Sequence, residues 1–415
     1  MNLAKGRIRR LLAKLPIILL GIVLGTGISE SLLRLSGYSF PEFYQLDQLR
    51  GYALRPGMEG WYRKEGEAFV KINSEGLRDL EHTKAKPSDT FRIAVLGDSY
   101  CEALQVPLEQ AFWRVLQNQL QNCEAAQSPS GKPKRVEVIN FGVSGYGTGQ
   151  QLLTLREHVW QYSPDLVLLT VTTNNDIVDN SRALKKSGEI PYFVHRDGEL
   201  LLDDSFKHSQ TFRFRQSRLN KIGRWLKDHF RVVQAAIEGH RGFKILLASG
   251  KQRMSRSKSV AATPDRHEPT GKLTQDLGFD HQIYLEPTSD DWTKAWEVTE
   301  ELIKEIHREV KAHGKRFVLA TLSNPAQVVL NSEQRRVFLQ QIGAQDLFYP
   351  DKRLKRLAEQ SQISFIMLAP DLQEYAERHH TYLHGFGSQL GNGHWNPEGH
   401  RVAGQLIAQK LCDQL

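Results

Sequence analysis

The stretch Ile93-Ala94-Val95-Leu96-Gly97-Asp98-Ser99-Tyr100 decides the fold class of this chain. Its first four residues form an unbroken apolar run, which is typical of a strand buried on both faces of a parallel sheet. Apolar residues after Val106 then recur at helical spacing, so a strand, a tight Gly-Asp turn and a helix are expected. This arrangement places Ser99 at the carboxyl end of a strand, where open α/β sheets bind their ligands.

Three later segments bring glycine, asparagine and histidine to the same edge of the predicted sheet. Two of them follow strand-like runs, at residues 136–141 and 166–171, and the third precedes an apolar helix near the C-terminus. The functional residues are thus ordered serine, glycine, asparagine, histidine. The segments read Asn140-Phe141-Gly142-Val143-Ser144-Gly145-Tyr146-Gly147, Thr173-Asn174-Asn175-Asp176 and Gly393-His394-Trp395-Asn396-Pro397-Glu398-Gly399-His400.

These four blocks resemble those of the SGNH subgroup of GDSL hydrolases, a family of serine esterases, lipases and acyl-group enzymes. The similarity covers most of residues 73–411, apart from a long insertion. The resemblance implies a three-layer α/β/α flavodoxin-like fold around a parallel sheet, and the chain offers five strands with intervening helices for it. It also implies that the protein hydrolyses acyl esters through an acyl-serine intermediate.

Each block has a chemical role in that reaction. An ester is cleaved by a nucleophile that loses its proton as it attacks, so a base must lie within hydrogen-bond reach of Ser99. His394 is the candidate base. The oxyanion formed on attack is stabilised by preorganised donors. The resemblance assigns this oxyanion hole to the backbone N–H of Ser99, the backbone N–H of Gly145 and the side-chain amide of Asn175.

Ordinary structural roles compete with these assignments. Gly145 would equally serve as a turn glycine with positive φ, and Asn175 as a helix cap. Asn174 is a rival donor, but the family pattern places the functional amide directly before an Asp, which favours Asn175 ahead of Asp176. His400 is a rival base, although its position at the start of the terminal helix is more typical of a packing or capping residue.

The chain departs from the family pattern just before His394. The family usually has Asp three residues before its catalytic His, where this chain has Gly391. A carboxylate there holds the imidazole tautomer and stabilises the imidazolium. We therefore predict a dyad of Ser99 and His394 whose orienting group is a backbone carbonyl or a carboxylate from elsewhere in the chain, such as Asp371. The position of Asp371 is more typical of a helix cap. Weakened or lost activity is the other interpretation.

The N-terminus has the pattern of a membrane anchor. Residues 1–14 contain five basic residues and no acid, and residues 15–28 are apolar apart from Gly and Thr. Such a flank and apolar stretch fit a signal peptide or a short signal anchor. Because no Ala-x-Ala-like cleavage site follows, we expect residues 1–35 to stay as a transmembrane anchor, with the catalytic domain extracytoplasmic, periplasmic or extracellular. Secretion after signal cleavage and a buried amphipathic helix are the alternatives.

The rest of the chain divides into a lead-in segment at 36–90 and an SGNH hydrolase-like domain at 91–415, with an insertion at about 181–289. Within the insertion, residues 207–258 hold fourteen Lys or Arg and two acids, whereas the whole chain has a net charge of +8. Aromatic and aliphatic residues interleaved with these charges predict an amphipathic lid or an interfacial helix that attracts anionic lipid or acidic polysaccharide. A solvated helical face is an equal alternative. Residues 249–271 are expected to form a mobile loop.

The remaining features exclude several classes of function. No cofactor and no metal site is expected, because the chain lacks a metal-ligand cluster, a Walker loop and a dinucleotide fingerprint in its context. The three cysteines leave one thiol unpaired and allow one disulfide. Nucleic acid is not expected as a partner. The expected partners are the membrane and an acyl-ester substrate, on a glycan or a lipid. The alternatives are an O-acyltransferase of envelope polysaccharide that uses the same residues, and a catalytically weakened binding or assembly protein.

Overall fold

The computed structural model describes residues 2–123, 135–196, 198–244 and 281–414, with side chains from residue 14 onward. The chain divides into two compact units. The first contains residues 1–42 and the described part of 215–268, and the second contains residues 43–214 and the described part of 269–415. The predicted loop at 249–271 lies outside the described residues.

The second unit is built on a five-stranded parallel sheet, as the apolar runs predict. In space, the strands follow the order Arg135–Asn140, Thr90–Leu96, Leu166–Thr172, Arg316–Leu322 and Ser364–Met367, so the first strand of the sheet along the chain lies between the second and the third. This is the flavodoxin-like order, and it confirms the predicted fold class. The strands are β5 (Thr90–Leu96), β6 (Arg135–Asn140), β7 (Leu166–Thr172), β10 (Arg316–Leu322) and β11 (Ser364–Met367).

Both faces of the sheet are covered by helices. On β5, Ala94 and Leu96 belong to the core on one face, and Ile93 and Val95 to the core on the other. This alternation explains the continuous apolar run, since every side chain of a doubly covered strand is buried. The first core receives side chains from α4 (Thr148–Glu157), α9 (Asp290–Ala312) and α11 (Tyr349–Gln360), and the second from α3 (Phe112–Leu120), α12 (Ala369–His379) and α13 (Pro397–Cys412).

Short helices and a hairpin complete this unit. The strand β5 is followed by α2 (Ser99–Glu102), and β7 is followed by α5 (Asn175–Asp179). Residues 182–216 of the predicted insertion belong mostly to the sheet-bearing unit. Their elements are α6 (Arg182–Lys185), the antiparallel pair β8 (Tyr192–Arg196) and β9 (Glu199–Asp203), and α7 (Gln210–Gln216), and α10 (Ser332–Ile342) lies further along the chain.

The lead-in segment forms two antiparallel strand pairs, β1 (Tyr44–Asp47) with β2 (Gly51–Leu54), and β3 (Glu59–Tyr62) with β4 (Ala68–Lys71). It shares a small apolar core with Val143 and Tyr146, which follow β6. The lead-in is therefore packed against the carboxyl edge of the sheet.

The first unit contains the largely apolar helix α1 (Asn2–Leu35) and the amphipathic helix α8 (Arg218–His229). Residues 231–244 are also helical. Within α1, residues Lys14–Leu35 are long and apolar enough to cross a membrane, and none of that stretch is buried inside the protein.

The three cysteines form one disulfide and leave one free thiol, an arrangement that the sequence permits. A disulfide joins Cys123, just after α3, to Cys412 at the end of α13, whereas Cys101 is a buried free thiol. The two cysteines are 289 residues apart in sequence, so the bond ties the C-terminal helix to the first half of the sheet.

Breaking this bond should destabilise the fold. A cross-link over so long a loop restricts the unfolded chain, and native disulfides typically contribute about 2–4 kcal/mol. We expect Cys412→Ser to lower the free energy of unfolding by this amount in urea titrations of the full chain in detergent. Reductant should reproduce the loss in the wild type and leave the variant unchanged. A wild-type midpoint that does not respond to reductant would contradict the assignment.

Candidate active site

The candidate nucleophile, Ser99, follows a tight turn in which the position of Gly97 has no room for a side chain. Asp98 caps α2, its Oδ1 accepting a hydrogen bond from the Tyr100 backbone N–H at 3.0 Å. A Cβ atom on Gly97 would lie 2.3 Å from both Cys101 Sγ and Thr170 Oγ1. The Gly-Asp sequence therefore lets the chain leave β5 tightly and start a helix at Ser99.

Ser99 and His394 meet at this edge of the sheet, although they are 295 residues apart in sequence. The distance between Ser99 Oγ and His394 Nε2 is 2.8 Å. The serine hydroxyl is thus placed to donate its proton to the imidazole, which is the geometry that a general base requires.

Glu65 is the carboxylate partner of His394. Its Oε2 lies 2.5 Å from His394 Nδ1, and its Oε1 accepts a hydrogen bond from the His394 backbone N–H at 2.7 Å. Glu65 sits in the turn between β3 and β4, in the lead-in segment. One carboxylate therefore fixes both the ring and the backbone of His394, with Nδ1 protonated and Nε2 free to accept the serine proton.

The charges around His394 make it more basic. Burial alone would lower the pKa of His394, but the hydrogen bond and charge of Glu65, with the charges of Asp98 and Glu102, outweigh burial and raise it. In return, the pKa of Glu65 is lowered, because its hydrogen bond to His394 outweighs the opposing effect of burial. Both shifts favour a charged pair once the imidazole has taken a proton.

Two neighbouring features hold the His394 loop. Gly393 has φ +78°, and a Cβ atom there would lie 2.1 Å from Glu65 Oε1, so only glycine permits the carboxylate to approach. His384 is fully buried, and its Nδ1 lies 2.9 Å from the Gly393 carbonyl oxygen while its Nε2 lies 3.0 Å from Ser323 Oγ. Burial lowers the pKa of His384 to about 3, so the imidazole stays neutral. Its hydrogen bond to Gly393 stabilises the loop that carries His394.

The carboxylate that contacts His394 Nδ1 is that of Glu65 and not that of Asp371. Asp371 lies in the first turn of α12, where its Oδ2 pairs with Lys410 Nζ at 2.9 Å. Gly391 has φ +87°, a conformation that an Asp rarely adopts. The position where the family pattern places an acid is a glycine turn here.

His400, the rival base, has a structural role. Its Nδ1 accepts a hydrogen bond from the Phe112 backbone N–H at 3.3 Å, and its ring stacks on that of Phe112. Burial lowers the pKa of His400 to about 3.

Asn175 is tied directly to the nucleophile turn. Its Nδ2 donates to Asp98 Oδ2 at 3.0 Å, which leaves the second N–H of the amide for a ligand. Thr172 Oγ1 donates to the other oxygen of Asp98 at 3.1 Å. Asn174 is the N-cap residue of α5 and makes no side-chain capping bond. Contact with the Gly-Asp-Ser turn therefore distinguishes Asn175 from its rival.

Gly145 lies in a loop that is contacted by Tyr52 of the lead-in segment. It has φ +75°, and a Cβ atom there would lie 2.7 Å from Tyr52 Oη. Tyr52 donates this hydroxyl to the Ser144 carbonyl oxygen at 2.8 Å. Gly145 therefore has the positive φ of a turn glycine. Because its loop follows β6, Gly145 also lies at the same edge of the sheet as Ser99 and Asn175.

A buried acid supports the same loop. Glu102, one helical turn after Ser99, accepts hydrogen bonds from the Tyr44 hydroxyl, at 2.8 Å, and from the backbone N–H of Ser144. Burial raises the pKa of Glu102 to about 7, against the opposing effects of these hydrogen bonds and of Arg78.

Sequence reasoning missed Glu65, His384 and Glu102. Glu102 could have been noticed from its spacing of three residues after Ser99 in a predicted helix. Glu65 and His384 carry no such signal, because each approaches its partner only through tertiary packing. Within the described ranges, no group of three or more His, Cys, Asp or Glu side chains is arranged to hold a metal ion.

Solved structures similar to this chain include three esterases or lipolytic proteins. An acetyl xylan esterase, AlAXEase, is 13% identical over 78% of this chain and 100% of its own, with a TM-score of 0.36. The acetylxylan esterase Axe2 from Geobacillus stearothermophilus is 12% identical over 77% and 94%, with a TM-score of 0.35. A putative lipolytic protein of the G-D-S-L family from Desulfitobacterium hafniense is 11% identical over 77% and 98%, with a TM-score of 0.34. No family model and no curated protein matches the sequence.

Replacing Glu65 by Gln should both slow the enzyme and shift its pH profile. A Gln side chain has one acceptor oxygen for the two His394 donors, so the required tautomer is lost, and kcat should fall roughly ten-thousandfold. His394 acts as a base only when neutral, and its raised pKa places the acid limb of kcat/KM above the ordinary value of 6.5. Without the Glu65 charge, burial dominates and this limb should move to lower pH.

The matched control is Glu67→Gln in the same turn, since Glu67 is exposed and pairs with Arg63 instead. Its kcat and pH profile should equal those of the wild type. Equal losses in the two variants would mean that the turn, and not the Glu65 carboxylate, supports activity.

Truncating Asn175 should remove one oxyanion donor. Loss of such a donor commonly costs about a hundredfold to a thousandfold in turnover, with little change in substrate binding. We expect Asn175→Ala to lower kcat by this factor while KM stays near the wild-type value, and Asn174→Ala to retain most activity. The reverse order of the two variants in steady-state kinetics would assign the donor to Asn174.

Proposed function

We propose that this protein is a serine esterase of the SGNH type that cleaves acyl esters through an acyl-serine intermediate. The observation that carries the proposal is the hydrogen-bonded chain from Ser99 through His394 to Glu65, with distances of 2.8 Å and 2.5 Å. A serine hydroxyl is activated when it contacts a base that is in turn oriented by a carboxylate, and these three residues make those contacts in that order.

The cycle follows from the donors and acceptors at the site. Ser99 Oγ attacks the ester carbonyl carbon as its proton moves to His394 Nε2, and the carbonyl electrons become an oxyanion. The backbone N–H groups of Ser99 and Gly145 and the free N–H of Asn175 stabilise that charge. The intermediate collapses, the alcohol leaves with the proton from His394, and an acyl-serine remains. Water then gives a proton to His394 as its oxygen attacks the acyl carbon. The bond from that carbon to Ser99 Oγ breaks, Oγ takes the proton back from His394, and the acid is released.

The catalytic domain is proposed to act outside the cytoplasm, on an acyl ester of a glycan or lipid in the cell envelope. The apolar stretch Lys14–Leu35 follows a basic flank, which favours a single anchor with its N-terminal end in the cytoplasm. The disulfide between Cys123 and Cys412 supports the same location, because such bonds persist in oxidising compartments.

The Glu65 carboxylate also bears on the idea of a weakened binding protein. That interpretation depended on the absence of an acid before His394, and Glu65 supplies one from another part of the chain. Acyl transfer to a sugar hydroxyl would use the same residues and differ only in the second step.

A fluorophosphonate probe tests the proposal directly. The wild-type chain should be labelled on Ser99, Ser99→Ala should not be labelled, and Glu65→Gln should be labelled more slowly. A panel of acyl esters that includes acetylated oligosaccharides, assayed with analysis of products, would then separate hydrolysis from transfer. Absence of labelling in a wild-type protein with an intact circular dichroism spectrum would overturn the enzyme assignment.

A further inference from the structure

The helix α8 has its apolar side turned outward. Four large apolar side chains are exposed: Leu219 by 76%, Ile222 by 56%, Trp225 by 52% and Leu226 by 37%. A surface helix normally buries such a stripe against its own core. Here the polar residue Asn220, on the opposite side, is partly buried instead.

The apolar residues form a continuous stripe. With about 100° between successive residues of an α-helix, these four side chains fall within an arc of roughly 120°. Asn220 lies roughly 160° from the centre of that arc by the same geometry. The stripe is therefore one surface of α8 and not a scatter of single exposed residues.

Two of the basic side chains of α8 lie at the apolar stripe: by the same geometry Arg218 falls within its arc and Lys221 roughly 40° outside it, whereas Arg224 and Lys227 lie on the side of Asn220. The helix carries Arg218, Lys221, Arg224 and Lys227 against one acid, Asp228. Lys227 pairs with Glu42 at 2.6 Å. In the part of the chain that the structure describes, the exposed residues Arg218 and Lys221 have no ion-pair partner, so the charge at the stripe is available to an external anion.

Hydrogen bonds join the C-terminal end of α1 to the C-terminal end of α8 and the residues that follow it. The Arg34 guanidinium, which pairs with Glu30, donates to the carbonyl oxygen of His229 at 2.6 Å. Glu30 Oε2 accepts a hydrogen bond from the Val232 backbone N–H at 3.0 Å. These residues belong to one compact unit.

A second set of contacts reinforces this junction. Gln234 is buried, and its Oε1 accepts from the Phe40 backbone N–H at 2.8 Å while its Nε2 donates to the Lys227 carbonyl oxygen at 2.8 Å. The chain that leaves α1 is thus held against the C-terminal end of α8. If α1 crosses a membrane, α8 is kept at the level where α1 reaches the surface.

We infer that α8 is an interfacial helix that lies in the outer surface of the membrane beside α1 and binds anionic phospholipid. The apolar stripe enters the boundary between headgroups and acyl chains, and Arg218 and Lys221 contact lipid phosphates. An acidic polysaccharide would match the charge but would leave the apolar stripe in water. The inference rests on α1 as the membrane anchor and is independent of the ester chemistry.

Site-specific labels in the full chain test this placement. Cys101 is buried and the other two cysteines are bonded to each other, so an added surface thiol is labelled selectively. A polarity-sensitive fluorophore is placed on Leu219→Cys, on Ile222→Cys and, as the matched control from the opposite side of α8, on Asn220→Cys. The proteins are reconstituted in nanodiscs of phosphatidylcholine alone or with phosphatidylglycerol.

We expect nitroxide-bearing lipids to quench the labels at positions 219 and 222 and to spare the label at 220. Phosphatidylglycerol should increase this quenching, and high salt, which shortens the Debye length to about 3 Å at 1 M, should reduce the increase. The double variant Arg218→Glu with Lys221→Glu should lose the difference between the two lipid mixtures. Activity on a small soluble ester should be unchanged in all variants, which shows that they fold.

Three results would overturn the inference. Aqueous iodide could quench all three labels as strongly in nanodiscs as in detergent, which would leave α8 in water. Added alginate could protect positions 219 and 222 where lipid nitroxides fail to quench them, which would make the partner a polysaccharide. Protection that depends on protein concentration, without lipid quenching, would assign the stripe to a second copy of the chain.

Discussion

The bidentate contact of Glu65 with His394 is the constraint on which the candidate site depends. The same carboxylate receives the ring Nδ1–H and the backbone N–H of one residue, so it sets the tautomer and the position of the ring together. Gly393 is required for this approach, and His384 holds the adjacent carbonyl. Each of these residues serves to keep one nitrogen, His394 Nε2, directed at Ser99.

Three histidines, two of them buried and one partly buried, show how the local charges decide what an imidazole does. Burial lowers the pKa of His384 and of His400 to about 3, because no carboxylate touches either ring. His394 is partly buried, which would also lower its pKa, yet its pKa is raised, since Glu65 accepts its hydrogen bond and Asp98 and Glu102 add negative charge. Burial without a carboxylate partner keeps an imidazole neutral and structural, whereas a carboxylate beside a partly buried imidazole makes it a base.

The sequence predicted the sheet and the four blocks because their signals are local. The apolar run before Ser99 and the order of the blocks depend on residues close together in the chain, and the strand order confirms the fold class. Glu65 is 329 residues from His394, and nothing in its neighbourhood marks it as an acid of the site. The choice between a solvated face and an interfacial helix for α8 likewise depends on which side is buried, which periodicity alone does not give.

The origin of the acid also changes where the catalytic unit begins. A boundary at residue 91, drawn from the four blocks, would separate the strand pairs of the lead-in from the sheet. The turn between β3 and β4 supplies Glu65, Tyr44 donates a hydrogen bond to Glu102, and Tyr52 donates one to the carbonyl oxygen of Ser144, next to Gly145. The compact unit starts at Phe43, the first residue of this packing. The lead-in is therefore a wall of the candidate site, and the chain between α1 and the Gly-Asp-Ser turn contributes Glu65 to it.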